Sequence, residues 1–154
     1  MSYEIEIKEV KPQPVMSIRT QCHAAEIGAI LQEILPEVWA HVTKLGGTPA
    51  GPPFTRYHGF TENRVDLEGG IPVEKHVTAE GRVAAGELPG GKVATTIHTG
   101  PYEKLPDAHD ALHVWIEKNG KEPAGPQWEY YRTDPGQEPD PNKRQTELLW
   151  PIRG

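Results

Sequence analysis

One short pattern occurs twice in this chain, and that duplication constrains the fold more than any other feature. Residues 49–57 have the sequence PAGPPFTRY, and residues 123–131 have the sequence PAGPQWEYY. The two segments align without a gap and end on the same residue type. Such a duplication predicts two similar halves with a seam between them, and a seam is a common place for a ligand cleft.

Two segments near the C-terminus have strand-like sequences with an acid inside each. Residues 125–132 and 146–152 are rich in aromatic and aliphatic residues of high β-propensity, and Gly, Pro and Asp bound them. Glu129 lies in the first segment and Glu147 in the second. Because a half-buried carboxylate without a partner is costly, both acids need an explanation.

Composition narrows the class of protein. The 154 residues carry a formal net charge of −6, which argues against a nucleic-acid footprint, since that requires clustered Lys and Arg. The 16 Gly and 16 Pro indicate many turns rather than a helical bundle. The single Cys22 excludes an internal disulfide, and no apolar segment is long enough to span a membrane. The first residues lack the pattern of a signal peptide, so we expect a cytoplasmic protein.

The order of predicted elements repeats once along the chain. Apolar residues at helical spacing predict one helix at about 24–45, with a kink or a break at Pro36, and a second between Leu105 and Ile116. Each helix follows a strand and precedes two more, and the segment 89–91 (Pro-Gly-Gly) favours a hairpin turn between two strands. Residues 134–142, rich in Pro and acids, predict an exposed loop. We therefore expect one α+β domain over 1–154, built from βαββ pseudo-repeats at about 1–73 and 82–154.

Alternation along the strands predicts which side chains face the helices. An apolar layer beneath the helices suits Trp128 with Tyr130 and Leu148 with Trp150. The residues expected on the opposite face are Glu129, Tyr131, Glu147 and Leu149, and in the first half Thr55, Tyr57, Asp66 and Glu68. Such a face of rings and carboxylates attracts flat, lipophilic cations. The alternative is that the two glutamates form surface salt bridges with Arg56, Arg132, Arg144 or Lys143.

The histidines give weaker signals. His109 and His113 are four residues apart in the second predicted helix, a spacing that metal ligands use, but no third ligand follows nearby. We therefore predict no metal site and no cofactor. Relative to the apolar side of the helix, His109 flanks the core and His113 points toward solvent, so we expect a solvated helix face. His98 precedes the turn into this helix, where it either faces the cleft or stabilises the turn.

Four motifs in this order, together with the duplication, resemble the GyrI-like small-molecule-binding superfamily, also called the AraC-type effector-binding domain. They are PGGKVA (residues 89–94), HTGPYE (98–103), WEYYRTDP (128–135) and ELLWPI (147–152), and the resemblance covers nearly the whole chain. It implies a duplicated βαββ arrangement, the SHS2 module, with an antiparallel sheet and a central ligand cleft. It also implies that Glu129 and Glu147 meet cationic ligands and that Tyr57, Tyr131 and Tyr102 complete the pocket. Regulators of this family carry a separate helix-turn-helix domain, for which this chain has no room, so we expect no direct nucleic-acid binding.

Three functions are compatible with these residues. The preferred one is a stand-alone protein that captures a hydrophobic, cationic or aromatic small molecule, as multidrug-binding members do. A second is a hydrolase of reactive electrophiles, in which Glu129 or Glu147 would be the catalytic base acting on water. A third is a gyrase-inhibitor-like protein that binds another protein. The candidate ligand-binding residues are Glu129, Glu147, Tyr57, Tyr131, Trp128, Tyr102, His98 and Leu149.

Overall fold

The structure is a computed structural model that describes residues 3–133 and 138–153. Its contacts divide the chain into two compact units. The central unit is Lys11–Gly90, and the terminal unit is Met1–Val10 together with Gly91–Gly154. Each unit contains one long helix and a set of antiparallel strands, which confirms the predicted α+β class.

The helices and strands follow the predicted order closely. In chain order they are β1 (Glu6–Val10), β2 (Gln13–His23), α1 (Ile27–Lys44), β3 (Phe54–Thr61), β4 (Arg64–Pro72), β5 (Ala84–Leu88), β6 (Gly91–Thr99), α2 (Leu105–Lys118), β7 (Glu122–Pro123), β8 (Trp128–Tyr131) and β9 (Gln145–Arg153). A short 3-10 turn precedes each helix, at Ala24–Glu26 and Tyr102–Lys104. Of the predicted loop at 134–142, residues 134–137 lie outside the described part of the chain, and Pro141–Lys143 form another 3-10 turn.

The central unit packs α1 against the antiparallel strands β3, β4, β2 and β5, adjacent in that order. Ile34, Val38 and Val42 are buried at four-residue intervals along α1, because this spacing keeps them on one side of a helix. They pack on alternate residues of the strands, including Ile18 and Leu67. Each such fully buried aliphatic side chain contributes about 1.5–3 kcal/mol.

The terminal unit repeats this plan with α2. Strands β1, β6, β9 and β8 are adjacent in that order, and β7 also pairs with β9. Leu105, Ala108, Leu112 and Ile116 line the buried side of α2. Beneath them lie Ala94 on β6 and Leu148 on β9.

The strand partners depart from simple succession along the chain. The segment 89–91 connects β5, which pairs with β2, to β6, which pairs with β1 and β9. It is therefore not a hairpin turn, because the strands on either side of it have different partners. The predicted pseudo-repeats at about 1–73 and 82–154 stay a prediction. In the structure each unit combines a βαββ series with one strand from the other half of the sequence.

Helix α1 passes through Pro36 without a break. Pro36 lies on the exposed side of the helix, between the buried Ile34 and Val38, and the helix continues to Lys44. Gly46 follows the end of the helix with φ of +74°, a conformation that favours glycine. Within the ranges that the structure covers, neither helix is long and apolar enough to cross a bilayer.

Candidate functional site

Glu129 and Glu147 lie on opposite faces of the terminal strands. Glu129 pairs with Leu148, which contacts the buried side of α2, so Glu129 also faces the helix. Trp128 pairs with Leu149 and Tyr130 with Glu147, and these four side chains lie on the other face. The predicted facing of β9 is therefore right, and the predicted facing of β8 is wrong.

The central unit has the same reversal. Asp66 and Glu68 on β4 face away from α1, as predicted, because the alternate residues Val65 and Leu67 belong to the helix-facing core. Thr55 pairs with Gly69 and Tyr57 pairs with Leu67, so both face α1, contrary to the prediction. The prediction failed because it assigned the largest aromatic side chains to the helix. In both units the face away from the helix buries a large ring, Phe54 or Trp128.

The physical reason that Glu129 can lie beneath a helix is a partner on that helix. Only 1% of Glu129 is exposed. His109 on α2 places Nε2 3.1 Å from Glu129 Oε2, and the Tyr131 hydroxyl donates to Glu129 Oε1 at 2.8 Å. His109 Nδ1 lies 2.6 Å from Oε1 of Gln127. Both ring nitrogens thus face oxygen acceptors, and a doubly protonated imidazolium satisfies both contacts.

The charge of Glu129 favours the protonated form of His109 by raising its pKa. Burial by itself lowers the pKa of His109, but the hydrogen bond and the charge of Glu129 outweigh it, with a further contribution from Gln127 and Asp110. The net result is a raised pKa for His109. The expectation that His109 lies on a solvated face is therefore wrong, whereas His113 is exposed and lies 3.5 Å from Glu117.

Glu147 lies in a different environment on the other face. Lys8 Nζ is 2.8 Å from Glu147 Oε2. The Thr95 hydroxyl lies 3.5 Å from the same oxygen, but it donates to the Leu148 carbonyl at 2.7 Å. The side chain of Glu147 is 15% exposed, so solvent reaches it. Burial raises the pKa of the neighbouring Tyr130, the indole of Trp128 acts against this, and the charge of Glu147 adds to it.

A surface depression of about 780 Å³ lies beside Glu147 in the terminal unit. Its lining contains three acids, Glu4, Glu6 and Glu147, and no Lys or Arg among the residues that the structure describes. Of its apolar residues, the 41%-exposed Ile97 lies on the face of Glu147, whereas Tyr3 and Ile5 line the depression from residues that pack against the core beneath α2. A lining of acids and apolar groups without a base suits a cation that carries apolar surface.

The other predicted residues divide between the two faces and the two units. Tyr102 meets Tyr131 edge-on with 5.9 Å between ring centroids, and the Arg144 guanidinium lies 5.5 Å from the Tyr102 ring centre. Tyr131 thus connects Tyr102 to Glu129. Leu149 and Trp128 are buried on the face of Glu147, with 2% and 1% exposure.

His98 and Tyr57 have structural surroundings. His98 is buried, accepts a hydrogen bond from the Tyr3 hydroxyl at Nδ1 (3.0 Å) and donates from Nε2 to the Pro101 carbonyl (3.1 Å). Of its two predicted roles, these contacts favour the turn-stabilising one. Tyr57, in the central unit, stacks on Phe60 at 5.8 Å and packs against the core beneath α1.

Lys8 and Gln127 were not predicted as residues of the site. Lys8 lies in the first strand, far from Glu147 in sequence, and no local pattern links them. For His109, a signal did exist. It lies one position after the buried Ala108, at the edge of the apolar side of α2, where a polar residue needs a buried partner.

Comparison with known proteins agrees with this architecture. A family model described as "GyrI-like small molecule binding domain" matches residues 3–153. Among curated proteins, none matches the sequence. The crystal structure of the EcmrR C-terminal domain is 26% identical, with 99% of each chain covered and a TM-score of 0.91. In the EcmrR–DNA complex, this chain spans only 57% of the EcmrR chain.

Two more distant structures share the fold. SAV2435 bound to tetraphenylphosphonium is 12% identical, with 100% of this chain and 95% of that chain covered and a TM-score of 0.72. A hydrolase encoded by lin2189 from Listeria innocua is 16% identical, with 97% and 92% covered and a TM-score of 0.66. At these identities the likeness shows the fold alone.

Proposed function

The chain belongs to the GyrI-like small-molecule-binding domain family, and from this premise we propose that it captures lipophilic cations, with Glu147 as the principal counter-charge. The observation that carries the proposal is the depression beside Glu147, which has three acids and no base in its described lining. A volume of about 780 Å³ is in the range of small-molecule sites.

The chemistry of the lining supports a delocalised cation over a small metal ion. A lipophilic cation gains from burying apolar surface on the exposed Ile97, the strand partner of Glu147, while its charge approaches that carboxylate. A strongly hydrated ion gains nothing from those apolar groups. SAV2435, which has the same fold, was solved bound to tetraphenylphosphonium, and this supports the choice of that cation as a probe.

Glu129 has a secondary place in this proposal. Its carboxylate is fully buried and its two oxygens already accept hydrogen bonds from His109 and Tyr131. For a ligand to meet Glu129, His109 must first release it, and the buried pair opposes that release. Glu147 is partly open to solvent and its partner Lys8 is more exposed still, so releasing this carboxylate costs less.

The experiment is a titration with tetraphenylphosphonium followed by calorimetry, on the natural chain and on Glu147→Gln. We expect the natural chain to bind and the variant to bind about tenfold more weakly, because one charge contact in a partly solvated site is worth on the order of 1 kcal/mol or more. A matched control is Glu9→Gln. Glu9 is an exposed acid of β1, in register with Lys92, and its side chain lies on the face of the strands opposite to Glu147. This variant should leave the affinity unchanged.

Several results would contradict the proposal. Absence of binding by the natural chain removes the cation-capture function. Binding that survives in Glu147→Gln but disappears in Glu129→Gln moves the site to the buried pair beneath α2. If mass spectrometry of a reaction with a neutral electrophile shows water added with turnover, lost in a Glu147 or Glu129 variant, the protein is a hydrolase instead.

A further inference from the structure

We propose that Lys8 is a tethered cation that occupies Glu147 in the free protein and leaves it when a cationic ligand binds. This inference rests on the proposed function, because it concerns the same carboxylate. It adds a residue that sets the specificity of the depression, without itself lining it.

The path of the Lys8 side chain identifies it as a long-range partner. Lys8 on β1 is in register with Val93 of β6, whereas Glu147 on β9 is in register with Ile97 of β6. The two residues are thus separated by an intervening strand and by an offset along it, and the Lys8 side chain crosses β6 diagonally to reach the acid. Its ammonium nevertheless lies 2.8 Å from Glu147 Oε2.

The contact is close but weakly held. The side chain of Lys8 is 41% exposed, against 15% for Glu147. An ammonium on a flexible stem in that situation gains little net free energy from the pair, since water solvates it almost as well and the extended chain loses rotamer freedom. Lys8 can therefore move into solvent at low cost, while Glu147 stays where the strand holds it.

This arrangement makes the carboxylate selective. A ligand must bring a positive charge to replace the ammonium, since a neutral molecule that displaced Lys8 would leave Glu147 without a counter-ion. The ligand must also gain from the apolar lining, because a small hydrated cation offers no advantage over Lys8 itself. Lys8 thus favours lipophilic cations over simple hydrated ions.

The test compares Lys8→Gln with the natural chain, using tetraphenylphosphonium as the cation and triphenylphosphine oxide as a neutral probe of similar shape. Removal of the competitor should tighten cation binding about three- to tenfold at low salt, and less at high salt, where exposed charges are screened. Binding of the neutral probe should change by less than about twofold, because it does not need Glu147.

Two further variants separate competition from a general change in charge. Lys8→Arg keeps the cation and should bind like the natural chain. Lys92→Gln removes a positive charge from an exposed residue of β6 on the other face of the same unit, and should have an effect of less than about twofold. In lysine-selective ¹⁵N NMR of the natural chain, saturation with the cation should move the Lys8 Nζ signal toward that of a free lysine.

The two proposals fail in different ways. If the natural chain binds the cation but Lys8→Gln binds it equally or more weakly, Lys8 is not a competitor, and the proposed function stands. An unmoved Lys8 signal at saturation leads to the same conclusion. If the natural chain does not bind the cation, cation capture fails, and displacement of Lys8 fails with it.

Discussion

The central and terminal units each carry an acid at the same strand position, but the residues that surround the two acids differ. Glu68 pairs with Arg56 across the strands in the same register in which Glu147 pairs with Tyr130, and both acids face away from the helix. A hydroxyl on the neighbouring strand lies near each of them. Ser17 donates to Glu68 at 2.6 Å, whereas the Thr95 hydroxyl lies 3.5 Å from Glu147 and donates instead to the Leu148 carbonyl at 2.7 Å. The exposed fractions of the two acidic side chains are also close, at 13% and 15%.

Beneath the helices the two units differ. Thr55 on β3 is the equivalent in the central unit of Glu129 on β8, and both residues are fully buried. The fifth residue of α1 is Leu31, and the fifth residue of α2 is His109. A β-carbon added at Gly69, the partner of Thr55, would lie 3.2 Å from Leu31, so Leu31 lies close to this strand pair, as His109 lies over the pair of Glu129 and Leu148.

The comparison shows that strand register fixes where a side chain lies, and that its partners fix what it can do. The terminal unit has a buried ion pair where the central unit has an aliphatic residue and a threonine. A buried ion pair is weak evidence for stability, because desolvation offsets much of the attraction. The central unit therefore supplies the natural neutral replacement for the pair.

The largest expected effect comes from breaking that pair. His109→Leu leaves Glu129 buried with its charge uncompensated, and we expect a loss of about 3–5 kcal/mol in the free energy of unfolding. The double variant His109→Leu/Glu129→Thr copies the central unit and should recover most of that loss. Urea denaturation of the natural chain, both single variants and the double variant measures the coupling between the two sites.

The result is informative in either direction. If the double variant is as unstable as the sum of the two single variants, the pair is not a coupled unit, and the correspondence with Leu31 and Thr55 has no energetic meaning. A leucine control at His113, which is exposed on the same helix, should change stability by less than about 0.5 kcal/mol.

These contrasts mark what could be predicted from the sequence. The α+β class, both helices and the order of the elements along the chain follow from the hydrophobic period and from Gly and Pro, which are local signals. The faces of β3 and β8 could not be predicted in this way, because a four-residue strand such as Trp128–Tyr131 has polar and aromatic residues on both sides. Which side faces the helix depends on His109, a residue from another element.

The partners of the two glutamates were beyond sequence reasoning for the same reason. Lys8 and Glu147 come from opposite ends of the chain and meet only after β1 and β9 have each paired with β6. Alternation does predict that Glu68 and Glu147 face away from the helices, and the structure confirms both. The alternation of residues along a strand therefore predicts which side chains share a face, whereas long-range contacts determine the partners and the chemistry of those side chains.

A smaller effect is expected from the two equivalent acids. Glu68→Gln leaves one acceptor oxygen in place of the two that contact Ser17 and His58, at 2.6 and 2.8 Å. It also removes the negative charge beside the half-buried Arg56. We expect a loss of about 2 kcal/mol in unfolding free energy. Glu147→Gln should cost about 0–1 kcal/mol, because its partner Lys8 is easily solvated. Equal losses in thermal or urea unfolding would show that the two environments do not differ energetically.

The smallest expected effect is the pH dependence that the terminal unit has through His109. Its pKa is raised in the folded state above its ordinary value near 6.5, so protonated His109 stabilises the fold. That contribution is complete below the ordinary pKa and is lost as pH rises through the raised one. We expect the natural chain to lose stability relative to His109→Leu/Glu129→Thr as the pH rises from the ordinary pKa of His109 to the raised one. The other histidines are present in both proteins, so the comparison isolates the contribution of His109. NMR titration of His109 locates the upper limit of the window, and a difference that stays flat or grows with pH would show that the buried pair is not held by the imidazolium.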